Sequence, residues 1–292
     1  MKSKNNKFVL ATIIPLFTEV AIFMVIPIIG TLLISFMDYT PLRDNNMFVG
    51  LQNYKALFSD SNFVIALKNT LVFTFVAVAI NIVISLFIAV LISQLRSNKT
   101  RSFFRMMMFL PCIAPMVASS VVWVRTIFPK NGLLNQILIF FGANAISFTG
   151  DANYLMSSVI VFTLWADLGY NIILFCAGID GIPTDIYEAA NLDGAGTIKK
   201  FFKITLPLLV RTMAFVTLMT LISYFQMFAQ FEVLAVKGGP KQSGLVLTSY
   251  IYKTAFGYRE MGYAAAISVV LFIVILIVSI VQRRMDKVDW EY

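Results

Sequence analysis

Six stretches of this chain are apolar for long enough to cross a lipid bilayer, and that repetition constrains the fold more than any other feature of its 292 residues. About 20 helical residues span the roughly 30 Å of hydrocarbon in a bilayer. The runs extend from Val9 to Met37, Thr70 to Ser93, Met106 to Phe128, Leu155 to Ile179, Leu206 to Val236 and Tyr263 to Val281. In hydrocarbon each backbone N–H and C=O must find its partner within the protein, and segments of this length do so as helices. The expectation is an all-α integral membrane protein with six transmembrane helices, forming one domain over residues 1–292.

Composition excludes the main alternatives. Hydrophobic residues make up 59% of the chain and charged residues 13%, with a mean hydropathy of +0.83, far from the balance of water-soluble domains. The net charge of +8 does not form the continuous basic face that nucleic acid requires, because the Lys and Arg residues are divided among the connections between apolar runs. Histidine is absent and the two cysteines, Cys112 and Cys176, both lie in apolar stretches, so neither a thiolate metal cluster nor histidine acid–base chemistry is available. The first run follows Lys2, Lys4 and Lys7, is too long for a cleaved signal and lacks a small-residue cleavage pattern, so it reads as a retained span.

The distribution of cations predicts orientation. Fourteen of the 23 Lys and Arg residues fall on one side: Lys2, Lys4 and Lys7; Arg96, Lys99, Arg101 and Arg105; Lys199, Lys200, Lys203 and Arg211; and Arg283, Arg284 and Lys287. The positive-inside rule makes that side, with both termini, cytoplasmic. The outer connections at residues 38–69 and 129–154 mix aromatic residues with Gly, Asn and Asp and are expected to be folded.

The inner connection at residues 180–205 differs from a plain loop. Pro183 discourages continuation of the fourth span, Thr184 or Asp185 is placed to cap a short helix, and Gly194 with Gly196 permits a sharp turn. Thr197 is placed to cap a second helix in which Ile198, Phe201, Phe202, Thr205 and Leu206 recur at the spacing of one helical face. Within it, Glu-Ala-Ala at 188–190 is followed after three residues by Gly194 and, after nine more, by Ile204, Leu206 and Pro207.

This spacing is the signature of permease subunits of binding-protein-dependent ATP-binding-cassette importers, and Asp193 with Phe202 resembles the carbohydrate-uptake branch, close to permeases for maltose and glycerol 3-phosphate. The resemblance covers nearly the whole chain. It takes in Pro27 and Ser35 to Tyr39, Gly50 to Tyr54, Asn69 and Thr70, Leu110 and Pro111, Trp165, Gly169, Ala177, Gly238 to Pro240 and Gly262 to Ala266. It implies a type I importer-like permease fold in a bacterial inner membrane, paired with a second homologous permease subunit, two cytoplasmic ATPases and an extracytoplasmic solute-binding protein. In such a complex Glu188, Ala189, Ala190, Asp193, Gly194, Ala195, Ile204, Leu206 and Pro207 couple the permease to its ATPase. ATP and Mg belong to the partner ATPases, and no Gly-x-x-x-x-Gly-Lys-Ser/Thr loop to cradle nucleotide phosphates occurs in this sequence.

Polar groups inside apolar spans are expensive and mark cavities, partner helices or substrates. Glu19 is isolated in the first span, with helix pairing or protonation as open as a role in transport. The fourth span offers Trp165, Asp167, Gly169, Tyr170 and Asn171, and the fifth Ser223, Tyr224, Gln226, Gln230 and Glu232. Aromatic faces beside amides and hydroxyls suit a sugar, which has apolar C–H faces and hydroxyl edges, and the resemblance places solute near Gly169, Tyr170, Tyr224 and Gln226. Glycerol phosphate or another polar solute is the alternative cargo. An ion-coupled carrier would call for an inverted repeat with charged midplane sites, and a membrane enzyme for a nucleophile or acid–base constellation; the sequence displays neither.

Overall fold

The computed structural model describes residues 13–42 and 46–285, so Val9, Lys2, Lys4, Lys7, Arg43 and Lys287 lie outside the described residues. Among the described residues, four helices are long and apolar enough to cross a membrane, or up to six when each of two bent helix pairs counts as one span. The chain is an all-α, multi-pass membrane protein. It divides into two compact units, residues 1–64 with 250–273, and residues 65–249 with 274–292.

In the first unit, α1 (Ile13–Ile34) buries none of its most apolar window, and Glu19 on it is exposed. The chain then enters a two-residue antiparallel pairing of β1 (Met37–Asp38) with β2 (Met47–Phe48), in register Met37 to Phe48. Asn53 on α2 (Gln52–Ser59) donates both of its amide hydrogens, to the carbonyls of Ser35 and Met37 at 2.9 and 3.0 Å, while Tyr54 shares a 2.6 Å hydrogen bond with the Ser35 hydroxyl. The resembling segments at 35–39 and 50–54 are thus two sides of one clamp. Gly262 donates to the Tyr39 carbonyl at 3.1 Å, and a Cβ on it would lie 2.0 Å from the Met37 carbonyl oxygen. Asp60 accepts from the hydroxyls of Tyr250 and Tyr263. Burial pushes its carboxyl up, yet these bonds and the backbone N–H groups of Asn62 and Phe63 hold it below the ordinary 3.8.

The second unit is built on α3 (Ser61–Ser93), of which it holds residues from Ile65 onward, and on α7 (Ala152–Asp180). Leu86, Ala89 and Ile92 of α3 pack with Ile172, Phe175, Cys176 and Ile179 of α7, each set at helical spacing, and with Leu209 and Val216. Apolar burial drives little association among helices in lipid, so close approach through small residues matters more. Gly169 is the tightest such point. A Cβ there would lie 2.0 Å from the Met108 carbonyl oxygen of α4 (Asn98–Ile113) and 2.8 Å from the Phe109 Cα.

Three predicted boundaries shift. The second span begins at Ser61 rather than Thr70, because α3 accommodates Lys68 without interruption. The third is broken into α4 and α5 (Met116–Ile127) at an 89° bend. Ala114, which precedes Pro115, is extended at φ −71°, ψ 136°, as the proline ring requires of its predecessor. The fifth is α9 (Thr197–Leu208) and α10 (Val210–Phe225), bent by 66°. It ends at Phe225, not Val236, and Phe228 leaves helical geometry before α11 (Ala229–Leu234). Hydropathy alone ran through that break because Met227, Phe228 and Phe231 are themselves apolar.

The connection at 129–154 contains α6 (Leu133–Phe140) and folds about Asn135, whose side chain donates to the carbonyls of Pro129 and Ile146 and accepts from the Ile146 N–H. Asn69 and Thr70 hold the turn after α11: Asn69 donates to the carbonyls of Gln242 and Leu245, each at 2.9 Å, and Thr70 accepts from Leu247 N–H at 2.9 Å. There follow α12 (Leu247–Tyr252) and α13 (Met261–Met285).

Gly169→Ala forces a methyl group into the α4 backbone and should destabilise the protein by about 1–3 kcal/mol, the usual penalty of overpacking. Gly196→Ala, with nothing within 4 Å of the added carbon, should be nearly neutral. Thermal unfolding of the purified variants in one detergent measures the difference.

Candidate coupling loop and solute region

Helix α7 ends at Asp180 and α8 (Thr184–Leu192) begins after a break at Gly181 to Pro183. Pro183 itself occupies the cap position at φ −55°, ψ 134°, with no side-chain capping bond. Thr184 and Asp185 are therefore the first helical residues rather than caps, since proline already supplies the extended backbone one position earlier. The same displacement occurs at the second helix: Gly196, at ψ 167°, is the cap and Thr197 the first helical residue.

The end of α8 explains the motif's spacing. Gly194 adopts φ +70°. Its N–H donates to the Asn191 carbonyl at 3.1 Å, and Ala195 N–H donates to the Ala190 carbonyl at 2.9 Å. That paired closure, with glycine in the left-handed position, stops the helix and reverses the chain. Ala190 is both a terminal acceptor and the buried contact of α8, 8% exposed. Ile182, Ile186 and Tyr187 add to the packed side, and the Tyr187 hydroxyl bonds Thr205 on α9 at 2.9 Å. Glu188, Ala189 and Asp193 are exposed, Ala195 is half-buried, and Ile204, Leu206 and Pro207 are half-buried along α9. Leu192, 91% exposed beside them, escaped notice because a leucine within a motif reads as a core residue.

The predicted stripe on α9 divides. Phe201, Thr205 and Leu206 turn inward, whereas Ile198 and Phe202 are exposed, at 76% and 61%. Residues Phe201–Thr205 form a π-helical turn, and its i to i+5 bonding rotates the chain away from the 3.6-residue period.

The polar residues of the fourth and fifth spans also separate. Trp165, Tyr170, Ser223 and Gln226 are exposed and Asp167 is half-buried, while Gly169, Asn171, Tyr224 and Gln230 are buried. Trp165 stacks against Trp123 with ring centroids 5.2 Å apart. Tyr224 instead joins an internal network: Asn81 Nδ2 donates to its hydroxyl at 2.7 Å, Asn171 Nδ2 donates to Asn81 Oδ1 at 2.7 Å and to the Thr220 hydroxyl at 3.0 Å. Asn81 is fully buried in α3 and links it to α7 and α10. It was not among the expected site residues, although a lone amide within a long apolar run was the available signal.

A family model described as binding-protein-dependent transport system inner membrane component matches residues 81–287. This chain belongs to that family. Among its relatives, the arabinooligosaccharides transport system permease protein AraP of Bacillus subtilis (strain 168) is 34% identical over 274 residues, covering 93% of this chain and 86% of AraP. The sn-glycerol-3-phosphate transport system permease protein UgpA of Escherichia coli (strain UTI89 / UPEC) is 34% identical over 268 residues, 90% of this chain and 88% of UgpA. The fold matches a chain in the crystal structure of a bacterial alginate ABC transporter in complex with alginate pentasaccharide-bound periplasmic protein, with a TM-score of 0.86 and 22% identity over 97% of this chain and 95% of that one. The permease is thus a transport-system membrane component of type I importer fold, and its family works with a solute-binding protein.

Asn81→Leu leaves the Tyr224 hydroxyl and an Asn171 donor unpaired in a dry interior. It should lower stability by about 1–2 kcal/mol, the range of intramembrane hydrogen bonds in model systems. Tyr224→Phe, which removes the acceptor but keeps the ring, should cost less. Comparing unfolding midpoints of the two variants with wild type checks both statements.

Proposed function

We propose that this chain is one membrane subunit of an ATP-driven importer and moves a sugar or oligosaccharide delivered by an extracytoplasmic binding protein. The observation that carries the reading is the construction of α8: Glu188, Ala189 and Leu192 stand exposed on a helix whose other face is fastened to the transmembrane core. A carboxylate to pair with a basic residue, a small alanine for close approach and an apolar tip fit insertion into a protein cleft. In this reading a second permease subunit completes the pathway, two cytoplasmic ATPases bind ATP and Mg, and closure of the ATPases pulls α8 and with it α7 and α9. The solute site opens outward and later inward by alternating access. The cation asymmetry supports cytoplasmic termini and a cytoplasmic α8 in an inner membrane.

Trp165, Tyr170, Ser223 and Gln226 are the accessible members of the predicted solute set, with Asp167 half-accessible behind them. None is cationic. That favours a neutral hydroxylated solute over glycerol phosphate, whose dianion calls for Arg or Lys. Asn171, Tyr224 and Gln230 act in this reading as the packed wall behind the site.

Glu188→Lys should abolish both uptake and solute-stimulated ATP hydrolysis in the reconstituted complex while leaving membrane insertion unchanged. Uptake at the wild-type rate by this variant contradicts the assignment. In the same assay, stimulation by an oligosaccharide with its binding protein, and none by glycerol 3-phosphate, is the expected cargo profile.

A further inference from the structure

At the end of the second unit where α3 and α7 finish and α4 begins lies a cleft of about 840 Å³ that the transport reading leaves unused. Its lining carries three cations, Arg101, Arg105 and Lys200, against one carboxylate, Asp180. We propose that this cleft is a binding site for a phosphate-bearing anion, supplied either by a lipid headgroup or by a soluble phosphate compound.

The cations are placed for that task and incompletely used. Lys199 and Lys203 are exposed, whereas Lys200 of the same helix is half-buried and turned to the cleft, where its ammonium donates to Asn191 Oδ1 at 2.8 Å. A general preference for basic residues on one side of a membrane explains all three lysines but not this distinction. Arg101 donates its Nε–H to the Leu95 carbonyl at 2.7 Å, which fixes the guanidinium beside the α3–α4 turn. Arg105 spends one donor on Asp180 at 2.8 Å. Its Nε–H is buried without an oxygen acceptor and lies beside the Cys176 thiol, a weak acceptor. Guanidinium groups match phosphate through paired N–H donors, and Lys adds a point charge. The position also fits both sources, since the ends of transmembrane helices lie at headgroup depth and basic pockets between such ends take anionic lipid.

Occupation has a structural consequence. Thr184 and Tyr187 of α8 form part of the same lining. An anion held between Arg101 and Lys200 therefore ties α8 and α9 to α4 and stiffens the loop against the force it is proposed to carry. The site itself requires only the fold and stands whether or not the cargo assignment does.

The test uses the full chain in lipid nanodiscs, with two probes. Native mass spectrometry counts phosphatidylglycerol retained from mixed phosphatidylcholine and phosphatidylglycerol discs, and thermal unfolding in pure phosphatidylcholine discs reports titration with inorganic phosphate. The double variant Arg101→Gln with Lys200→Gln spares the Arg105–Asp180 pair. Lys199→Gln with Lys203→Gln removes the same charge from outside the cleft. Retention of phosphatidylglycerol that falls at least about tenfold in the first variant but not the second identifies a lipid site; a phosphate-dependent rise in the unfolding midpoint with the same variant pattern identifies a soluble anion. Absence of both responses in wild type, or equal losses in the two variants, overturns the proposal.

Discussion

A polar group in hydrocarbon must be satisfied by the protein itself, and the architecture follows from that constraint. Long helices satisfy the backbone. Where a helix is interrupted, at Ala114–Pro115 and at Leu209, the break needs local support, and Leu209 is 1% exposed inside the core of the second unit. The polar side chains where α3, α7 and α10 meet obey the same rule. Asn81, Asn171, Thr220 and Tyr224 each find a partner in one another, joining α3, α7 and α10 at a point where apolar packing alone gives little specificity.

From that joined core, packed side chains lead on to α8. Ile179 and Ile182 are buried at the exit of α7, Ala190 and Tyr187 fix α8, and Tyr187 and Thr205 of α9 share a hydrogen bond. The left-handed Gly194 closes the turn between the two arms. A push on the exposed side of α8 therefore reaches two spans through packed side chains and short hydrogen bonds. The exposed Glu188, Ala189 and Leu192 side chains take no part in that packing, which is what a surface reserved for a partner requires.

Much of this was legible in the sequence, because apolar run length and the Glu-Ala-Ala to Gly194 spacing each express a single local rule. The failures occurred where neighbours decide. Thr184 and Thr197 carry good capping side chains, yet Pro183 and Gly196 took the cap positions through backbone geometry. Ile198 and Phe202 left the inward stripe because a π-helical turn changed the period. The pairing of the Tyr224 hydroxyl with Asn81, well over a hundred residues away in the chain, had no local signal. Gly169 was expected near the solute; its close approach to the Met108 backbone was not legible.

The account stands on α8 being a cytoplasmic extension of the fourth and fifth spans. Site-specific labelling measures that directly: Asp193→Cys in a Cys112→Ala and Cys176→Ala background, treated with a membrane-impermeant maleimide in vesicles of both orientations. The account predicts modification in inside-out vesicles and none in right-side-out vesicles. Modification from the outer face alone would contradict it.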